Sequence, residues 1–262
     1  MTTSSLFHLL PLGEYRADTA RPITAASLGT EGFVHCSPDP GTALAVANEL
    51  YRSVEEQLVL VELDPSRLSA PVHWEPPSPS PPEGVSARTL FPHVYGPLER
   101  EAVRGLRYAR RDVHGRFVAF ETRGATAQRL DLLPHPEGGW YRRTWTSEVE
   151  LGSGRASRPS ATAIHYLLAP GEVSRWHAVR SDELWMWHSG SPLRLSTAGR
   201  GPRPGETPDT VTLGADLAAG QHPQSLVPAG TWQCAEPVEQ REVLVSCVVS
   251  PGFDFADFQV CS

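Results

Sequence analysis

The stretch GEVSRWHAVRSDELWMWHSG, residues 171–190, decides the fold of the second half of this chain. It begins and ends on glycine and holds His177, Val179 and Glu183 between the two glycines. Alternate residues of a strand point to the same side of a sheet, so the spacing predicts two strands around a short turn. We expect His177 and Glu183 to project from these strands into the lumen of a barrel.

The segments on either side extend this pattern. After residue 130, short apolar runs such as TAIHYLL, LWMWH and EVLVSCVV are separated by Gly, Pro and Ser, which is typical of an antiparallel sandwich or barrel. Before it, strand-like runs alternate with one amphipathic stretch, Thr42 to Ser53, that predicts a helix. The insert PPSPSPPEG, Pro76 to Gly84, predicts a loop because proline lacks a backbone donor. We therefore predict a multidomain chain, with an α+β domain at 1–120 and an all-β domain at 121–262.

The second half resembles a known family. The 171–190 spacing matches the first cupin motif, G-x5-H-x-H-x3-E-x6-G, except that Val179 stands at the second histidine. PAGTWQ, 228–233, matches the P-x-G-x2-H core of the second motif with Gln233 in place of histidine. With HPEGGWYRRT, TAIHYLL and SPGFDFADF, these segments resemble domain of unknown function 985, or cupin superfamily 5. The resemblance implies a double-stranded β-helix with a polar pocket at the barrel mouth and a homodimer formed through the cupin domain.

The first half resembles domain of unknown function 952 through FHLL, EGFVHCS, LVLVELD, VHWE and FPHVYGPL. That resemblance implies an ADP-ribosyltransferase-like fold and an NAD-like ligand. The pocket residues it implies are His8, His35, Ser37, Glu75, His93 and Tyr95, with Glu62 as the alternative carboxylate to Glu75.

Two kinds of chemistry are open to the barrel. His177, Glu183 and Gln233 are candidate ligands for a divalent metal, Fe, Mn, Ni or Zn, although an amide oxygen is a weak donor. In the metal-free alternative, His177 accepts a proton and Glu183 or Tyr166 orients or returns it. A third interpretation is that His177 and Glu183 are a buried pair that only holds two strands together.

Aromatic and charged residues near the motifs suggest the substrate. The predicted substrate-binding residues are Trp176, Trp185, Trp187, Trp232, Arg180, Gln233, His135 and Glu137. The indole rings offer stacking walls and Arg180 offers a fork for carboxylate or phosphate. His135 and Glu137 belong to the HPEGG turn and are expected at the pocket entrance. A polar, anionic small metabolite is the predicted substrate.

Composition excludes several partners. The chain has 23 basic residues, all arginine, against 30 acidic ones, a net charge of -7, which argues against a nucleic-acid backbone binder. No stretch approaches 18 apolar residues and the first residues lack a basic signal region, so we expect a cytoplasmic chain with no membrane partner. An arginine-only, proline-rich composition suggests a bacterial enzyme of specialised metabolism.

Three functions follow from these observations. The first is a cupin enzyme: an isomerase, epimerase, lyase or metal-dependent oxygenase acting on a small polar metabolite. The second is a protein that handles NAD or ADP-ribose through the first domain. The third is a cupin that binds a small molecule without turnover.

Overall fold

The computed structural model describes residues 4–78, 80–152 and 157–261. The chain forms two compact units, Met1–Arg123 and Gly124–Ser262. No helix in the described ranges has the length and apolar character needed to cross a bilayer.

The first unit combines helices with antiparallel strands. Its strands are β1 (Leu6–Pro11), β2 (Val34–His35), β3 (Leu58–Leu63), β4 (Val72–Glu75), β5 (Phe91–Val94), β6 (Val103–Arg111) and β7 (Phe117–Glu121). Its helices are α1 (Leu12–Ala17), α2 (Ala26–Thr30) and α3 (Pro40–Leu50), with 3-10 turns at Pro65–Arg67 and Arg100–Ala102. One sheet has the order β1-β3-β6-β7, and a smaller one has the order β2-β5-β4. The described residues of the proline-rich insert lie outside helices and strands, as predicted.

Helix α3 begins two residues before the predicted start at Thr42 and ends at Leu50 rather than Ser53. The Asp39 side chain accepts a hydrogen bond from the backbone N–H of Thr42 at 2.8 Å, and Pro40 occupies the first helical turn. An aspartate cap followed by proline favours a helix start at this point. Ala43 and Ala47 of the helix are buried in the apolar core that it shares with β1, β3, β6 and β7.

The second unit is built of strands apart from α4 (Ala125–Arg129) and a 3-10 turn at Phe255–Asp257. Its strands are β8 (Leu133–Pro134), β9 (Trp140–Thr146), β10 (Glu150–Leu151), β11 (Arg158–Pro159), β12 (Thr162–Leu168), β13 (Ser174–Val179), β14 (Asp182–Gly190), β15 (Leu193–Arg200), β16 (Asp209–Leu213), β17 (Gln224–Val227), β18 (Thr231–Pro237), β19 (Val243–Ser250) and β20 (Phe258–Val260). A large sheet has the order β17-β14-β19-β12-β9-β8, and a second has the order β16-β15-β18-β13-β20.

The core of this unit lies between the two sheets. Buried Trp185, Val245 and Cys247 of the first sheet belong to one apolar cluster with Leu195 and Ala235 of the second. Such a two-sheet arrangement places the inward residues of both sheets in one interior, as the strand pattern predicted.

The glycine that closes the first motif has a steric role. Gly190 has a φ of 94°, and a Cβ at this position would lie 2.0 Å from the carbonyl oxygen of Glu242. Only glycine fits both the backbone conformation and this contact.

Candidate functional site

A cavity opens between the two sheets of the second unit. The volume open to the centre of a water-sized sphere is about 40 Å³. The residues that line it are His135, Glu137, Tyr141, Arg143, Thr162, Ile164, Tyr166, His177, Val179, Glu183, Trp185, Cys247, Val249, Phe253, Phe255 and Phe258. Three predicted catalytic residues, His177, Glu183 and Tyr166, are thus brought together here.

Strand alternation positions the motif side chains as expected. His177 and Val179 on β13 both line the cavity, and so do Glu183 and Trp185 on β14. β13 pairs with β18, with His177 opposite Gln233. The three functional positions of the two motifs therefore meet in one interior.

The HPEGG turn carries Glu137 to the centre of the site rather than to its entrance. Gly138 has a φ of 121°, and a Cβ there would lie 2.1 Å from the carbonyl oxygen of Val173. The backbone N–H of Arg175 donates to the carbonyl oxygen of Glu137 at 3.0 Å. This close packing fixes the Glu137 side chain beside β13.

Glu137 is a buried carboxylate that two histidines share. Its Oε2 lies 3.4 Å from His177 Nδ1 and 3.6 Å from His135 Nδ1, and its Oε1 accepts a hydrogen bond from Ser174 Oγ at 2.8 Å. Burial raises the pKa of Glu137, but His177, His135 and the hydrogen bond from Ser174 act in the opposite direction and leave the pKa below its ordinary value. We therefore describe Glu137 as the ionised carboxylate of the site.

The hydrogen bonds of His177 define its neutral tautomer. Nδ1 lies 2.8 Å from the carbonyl oxygen of Arg175, and a carbonyl only accepts, so Nδ1 carries the proton. The neutral ring then has an unprotonated Nε2. The side chain is 2% exposed and lines the cavity, where Nε2 is the base available to a bound molecule.

Glu183 is a second buried carboxyl group with the opposite tendency. Burial raises its pKa, the charge of Glu137 adds to this effect, and the attraction of His177 only partly offsets it. Its Oε2 accepts a hydrogen bond from Gln233 Nε2 at 2.6 Å. The Gln233 oxygen in turn accepts from Trp185 Nε1 at 2.8 Å. Because an indole N–H can only donate, this contact fixes the orientation of the amide.

Tyr166 completes the set of proton-bearing groups. Its hydroxyl donates to the carbonyl oxygen of Gly138 at 2.8 Å. Burial, together with the charge of Glu137, raises the tyrosine pKa well above its ordinary value. Tyr166 therefore stays protonated across the neutral range.

The predicted metal ligands do not fit a metal. The oxygen of Gln233 is occupied by Trp185, and its nitrogen, which is not a ligand, faces Glu183. Val179 supplies no donor atom. Among the described residues, no three His, Cys, Asp or Glu side chains are arranged to hold an ion. Gln233 is corrected here from a ligand to a residue that holds Glu183.

His165 and His188 do not complete a metal shell. Their rings lie 6.2 Å apart, and neither lines the cavity. His188 Nε2 is 2.6 Å from Ser246 Oγ, and the His188 side chain is exposed.

Several predicted substrate-binding residues lie away from the cavity. Trp176 and Trp232 belong to a separate apolar cluster, and the Trp232 indole donates to the carbonyl oxygen of Gly201 at 2.9 Å. Trp187 packs against the core and donates to the carbonyl oxygen of Ser191. Arg180 pairs with Asp257 at 3.3 Å, and its side chain is 76% exposed. These four residues are not among those that line the cavity, whereas Trp185, His135 and Glu137 do line it.

The remaining walls of the cavity are aromatic and basic. Phe253, Phe255 and Phe258 form an aromatic wall, although the sequence predicts their segment to be a structural edge. Arg143, which the sequence offers as a fork for carboxylate or phosphate, also lines the cavity. Tyr141 was not predicted for this role, although it lies two residues before Arg143 on β9 and strand alternation would have identified it.

The candidate residues of the first unit fall into two groups. His35, Glu75, His93 and Tyr95 lie close together and are described further below. Ser37 is buried, and its backbone N–H and carbonyl pair with Phe7, so the structure assigns it a backbone role. His8 is buried and its Nδ1 lies 2.8 Å from the carbonyl oxygen of His35. Glu62 lies on β3 of the larger sheet, where it pairs with Arg107 and accepts a hydrogen bond from Ser5.

Comparisons with known proteins match both halves. A family described as Cupin superfamily (DUF985) matches residues 125–261, and one described as Protein of unknown function (DUF952) matches residues 11–106. Protein SO0799 from Shewanella oneidensis is 37% identical over 54% of this chain and 86% of its own, with a TM-score of 0.48. A hypothetical protein from Leishmania major is 34% identical over 53% of this chain and 88% of its own, with a TM-score of 0.47. Protein CC0527 from Caulobacter crescentus is 23% identical over 44% of this chain and 93% of its own, with a TM-score of 0.36. No curated protein matches the sequence significantly.

Proposed function

The chain belongs to the Cupin superfamily (DUF985), and we propose that its barrel is the active site of an enzyme that moves a proton within a small anionic metabolite. The reaction class is that of an isomerase or epimerase. The supporting observation is that two buried carboxyl groups with opposite pKa shifts, Glu137 and Glu183, act on one histidine, His177. Carboxyl groups whose environments separate their pKa values are characteristic of acid–base sites.

His177, Glu137 and Glu183 have separate roles in the proposed proton transfer. His177 Nε2 accepts the proton from a carbon next to a carbonyl group, and Glu137 stabilises the imidazolium that forms. Glu183, whose raised pKa favours its protonated form, donates its proton to the carbonyl oxygen and so produces an enol. Where the deprotonated carbon also carries a hydroxyl group, the enol is an enediol. Return of the His177 proton to the former carbonyl carbon, with loss of the proton of that second hydroxyl group to Glu183, then gives the isomer.

Gln233 and Tyr166 support this exchange as positioning residues. Gln233 holds Glu183 while Trp185 holds Gln233. Tyr166 keeps its proton and donates it to the carbonyl oxygen of Gly138, and so it holds the turn that carries Glu137.

The cavity walls favour a substrate with a negative group and an apolar face. Arg143 supplies a guanidinium fork for carboxylate or phosphate, and the Phe253, Phe255 and Phe258 rings supply the apolar contact. The ionised Glu137 would repel an anionic group placed deep in the site. The anionic end of the substrate therefore belongs at Arg143 and the reacting carbon near His177.

The experiment is deuterium exchange in D₂O, with a panel of hydroxy acids, keto acids and sugar phosphates, followed by NMR. We expect the protein to exchange a carbon-bound proton of at least one compound, with the same rate when a chelator is present. His177→Ala should abolish the exchange and Glu183→Gln should slow it, whereas His188→Ala, on an exposed outer histidine, should leave it unchanged. Exchange that survives His177→Ala, or that a chelator stops, would contradict the proposal.

We also propose that the cupin domain forms a homodimer through the outer face of its large sheet. Leu226 of β17 is 56% exposed, and the side chains of Leu184, Met186 and Val248 on the same face are only half-buried. An apolar sheet face of this kind is typical of an interface between subunits. Size-exclusion chromatography with light scattering tests it.

A further inference from the structure

The small sheet of the first unit carries one unusual face. Register pairs His35 of β2 with His93 of β5, and His93 with His73 of β4. Residues two positions along the chain share the same face, which adds Phe33, Tyr95 and Glu75. Aromatic or imidazole rings thus lie beside the carboxylate of Glu75 on this face, and the carboxylate of Glu31 lies 3.2 Å from His35 Nε2.

The carboxylate of Glu75 is ionised and only partly satisfied. It accepts hydrogen bonds from His93 Nδ1 and from the Tyr95 hydroxyl, the latter at 3.1 Å. The hydrogen bond from His93 is the main cause that lowers the pKa of Glu75, against the opposing effect of burial. The Glu75 side chain is still 36% exposed.

The carboxylate of Glu75 retains free hydrogen-bond acceptor positions. A carboxylate has about four acceptor positions, two on each oxygen. His93 bonds to Oε2, and the Tyr95 hydroxyl is shared between Oε1 at 3.1 Å and Oε2 at 3.3 Å, so two donated protons leave two of the four acceptor positions free. Two parallel N–H donors of a planar group match this arrangement. The ion-pair partner of Glu75 among the described residues is His93 rather than an arginine.

The rings supply flat surfaces beside those free positions. Phe33 stacks on His93 with ring centroids 4.1 Å apart and 16° between the planes. Tyr95, whose side chain is partly exposed, lies 5.3 Å from Phe33 and 4.7 Å from the exposed His73. Aromatic faces attract cations, and a guanidinium stacks on them as an ammonium does not.

We propose that this face, formed by Phe33, His73, Glu75, His93 and Tyr95, is a binding site for a guanidinium group. Two N–H groups of the ligand donate hydrogen bonds to the two oxygens of Glu75, and its plane stacks against the Tyr95 and Phe33 rings. Its source is either a free guanidino metabolite or an arginine side chain. The site lies in the first unit, so it is independent of proton transfer in the barrel.

Calorimetry on the full chain tests the proposal with three small probes. Methylguanidinium is both charged and planar, methylurea is planar but neutral, and methylammonium is charged but has no planar group. We expect methylguanidinium to bind about tenfold or more tightly than either of the others, because only it forms the charged fork and the stack. Equal affinity for methylurea or methylammonium, or no binding of methylguanidinium, would overturn the proposal.

Variants locate the binding. Glu75→Gln, at a half-exposed position, should weaken methylguanidinium binding by about tenfold or more, and Tyr95→Leu should weaken it several-fold. The matched control Glu55→Gln removes an exposed carboxyl charge elsewhere in the first unit and should leave methylguanidinium binding unchanged. Binding that is unaffected by Glu75→Gln, or that falls equally in Glu55→Gln, would refute the assignment. Tighter binding of a capped Gly-Arg-Gly peptide than of methylguanidinium indicates a protein arginine, and equal binding indicates a free guanidino compound.

Discussion

Replacing Gln233 by leucine should destabilise the second domain measurably. The substitution removes the acceptor of the Trp185 indole N–H and the donor to Glu183, two hydrogen bonds of 2.8 and 2.6 Å. Trp185 is 1% exposed and Glu183 is 6% exposed, so bulk water has little access to either partner. Each buried group left unpaired costs about 1–3 kcal/mol, which gives a loss of about 2–6 kcal/mol before the gain from burying leucine.

Urea unfolding followed by tryptophan fluorescence measures this loss in the relevant domain. Only Trp74 lies before residue 130, so the signal of the other six tryptophans comes from the second domain. Gln259→Leu is the matched control, because Gln259 is exposed on β20, and it should stay within about 0.5 kcal/mol of the parent protein. The assigned role of Gln233 would be refuted if Gln233→Leu were as stable as this control.

Three further predictions concern pH, the turn and assembly. In the folded protein the pKa of Glu183 is raised, so ionisation of Glu183 opposes folding above that pKa. Glu183→Gln should therefore be more stable than the parent protein at neutral pH. This difference in stability should fade as the pH falls towards the pKa of the unfolded chain, about 4.3. In the folded protein the pKa of Glu137 is lowered, so Glu137→Gln should be less stable than the parent protein at neutral pH. The two should become equally stable as the pH falls through the folded pKa. Urea unfolding midpoints measured across pH check both predictions, and stability changes in the same direction for the two variants would contradict them. Gly138→Ala forces a side chain into a positive φ against a carbonyl oxygen and should cost about 1–3 kcal/mol or more by thermal unfolding, whereas an unchanged melting temperature would exclude the turn geometry. Leu226→Glu should shift the chain from dimer to monomer in light scattering, and a parent protein that is already monomeric would remove the proposed interface.

Local spacing was enough to predict the strands of the barrel and the inward direction of its motif residues. His177 and Glu183 meet in the cavity because a period of two leaves each strand little choice of face. The same rule, applied strictly, would also have placed Trp176 and Trp232 outside, since each directly precedes an inward residue. Their proximity in sequence to the motifs was a misleading signal.

Long-range contacts account for the site features that spacing did not predict. Glu137 is central because the carbonyl of Val173 and the N–H of Arg175 pack against its turn, more than thirty residues later. Gln233 reads as a ligand from the motif, but Trp185, 48 residues away, determines what its amide does. Neither contact can be predicted from the local sequence pattern of the segments that form it.

The first domain shows the same division between local and long-range information. Histidines and Glu75 were recognised in separate segments, and register brings His35, His93 and Glu75 to one small sheet. Glu62 lies in an equally strand-like run, but its sheet pairs it with Arg107 instead. Which carboxylate remains open to a ligand therefore depends on tertiary pairing.

The most direct test of the proposed acid–base site is a ¹³C NMR titration of the glutamate side-chain carboxyl carbons. Glu183→Gln and Glu137→Gln assign the two signals. Ordinary glutamates titrate near about pH 4.3. The proposed mechanism predicts that Glu183 titrates above this value and Glu137 below it. If both titrate together in the ordinary range, or in the reverse order, His177 does not lie between a proton donor and a stabilising carboxylate, and the proposed mechanism is wrong.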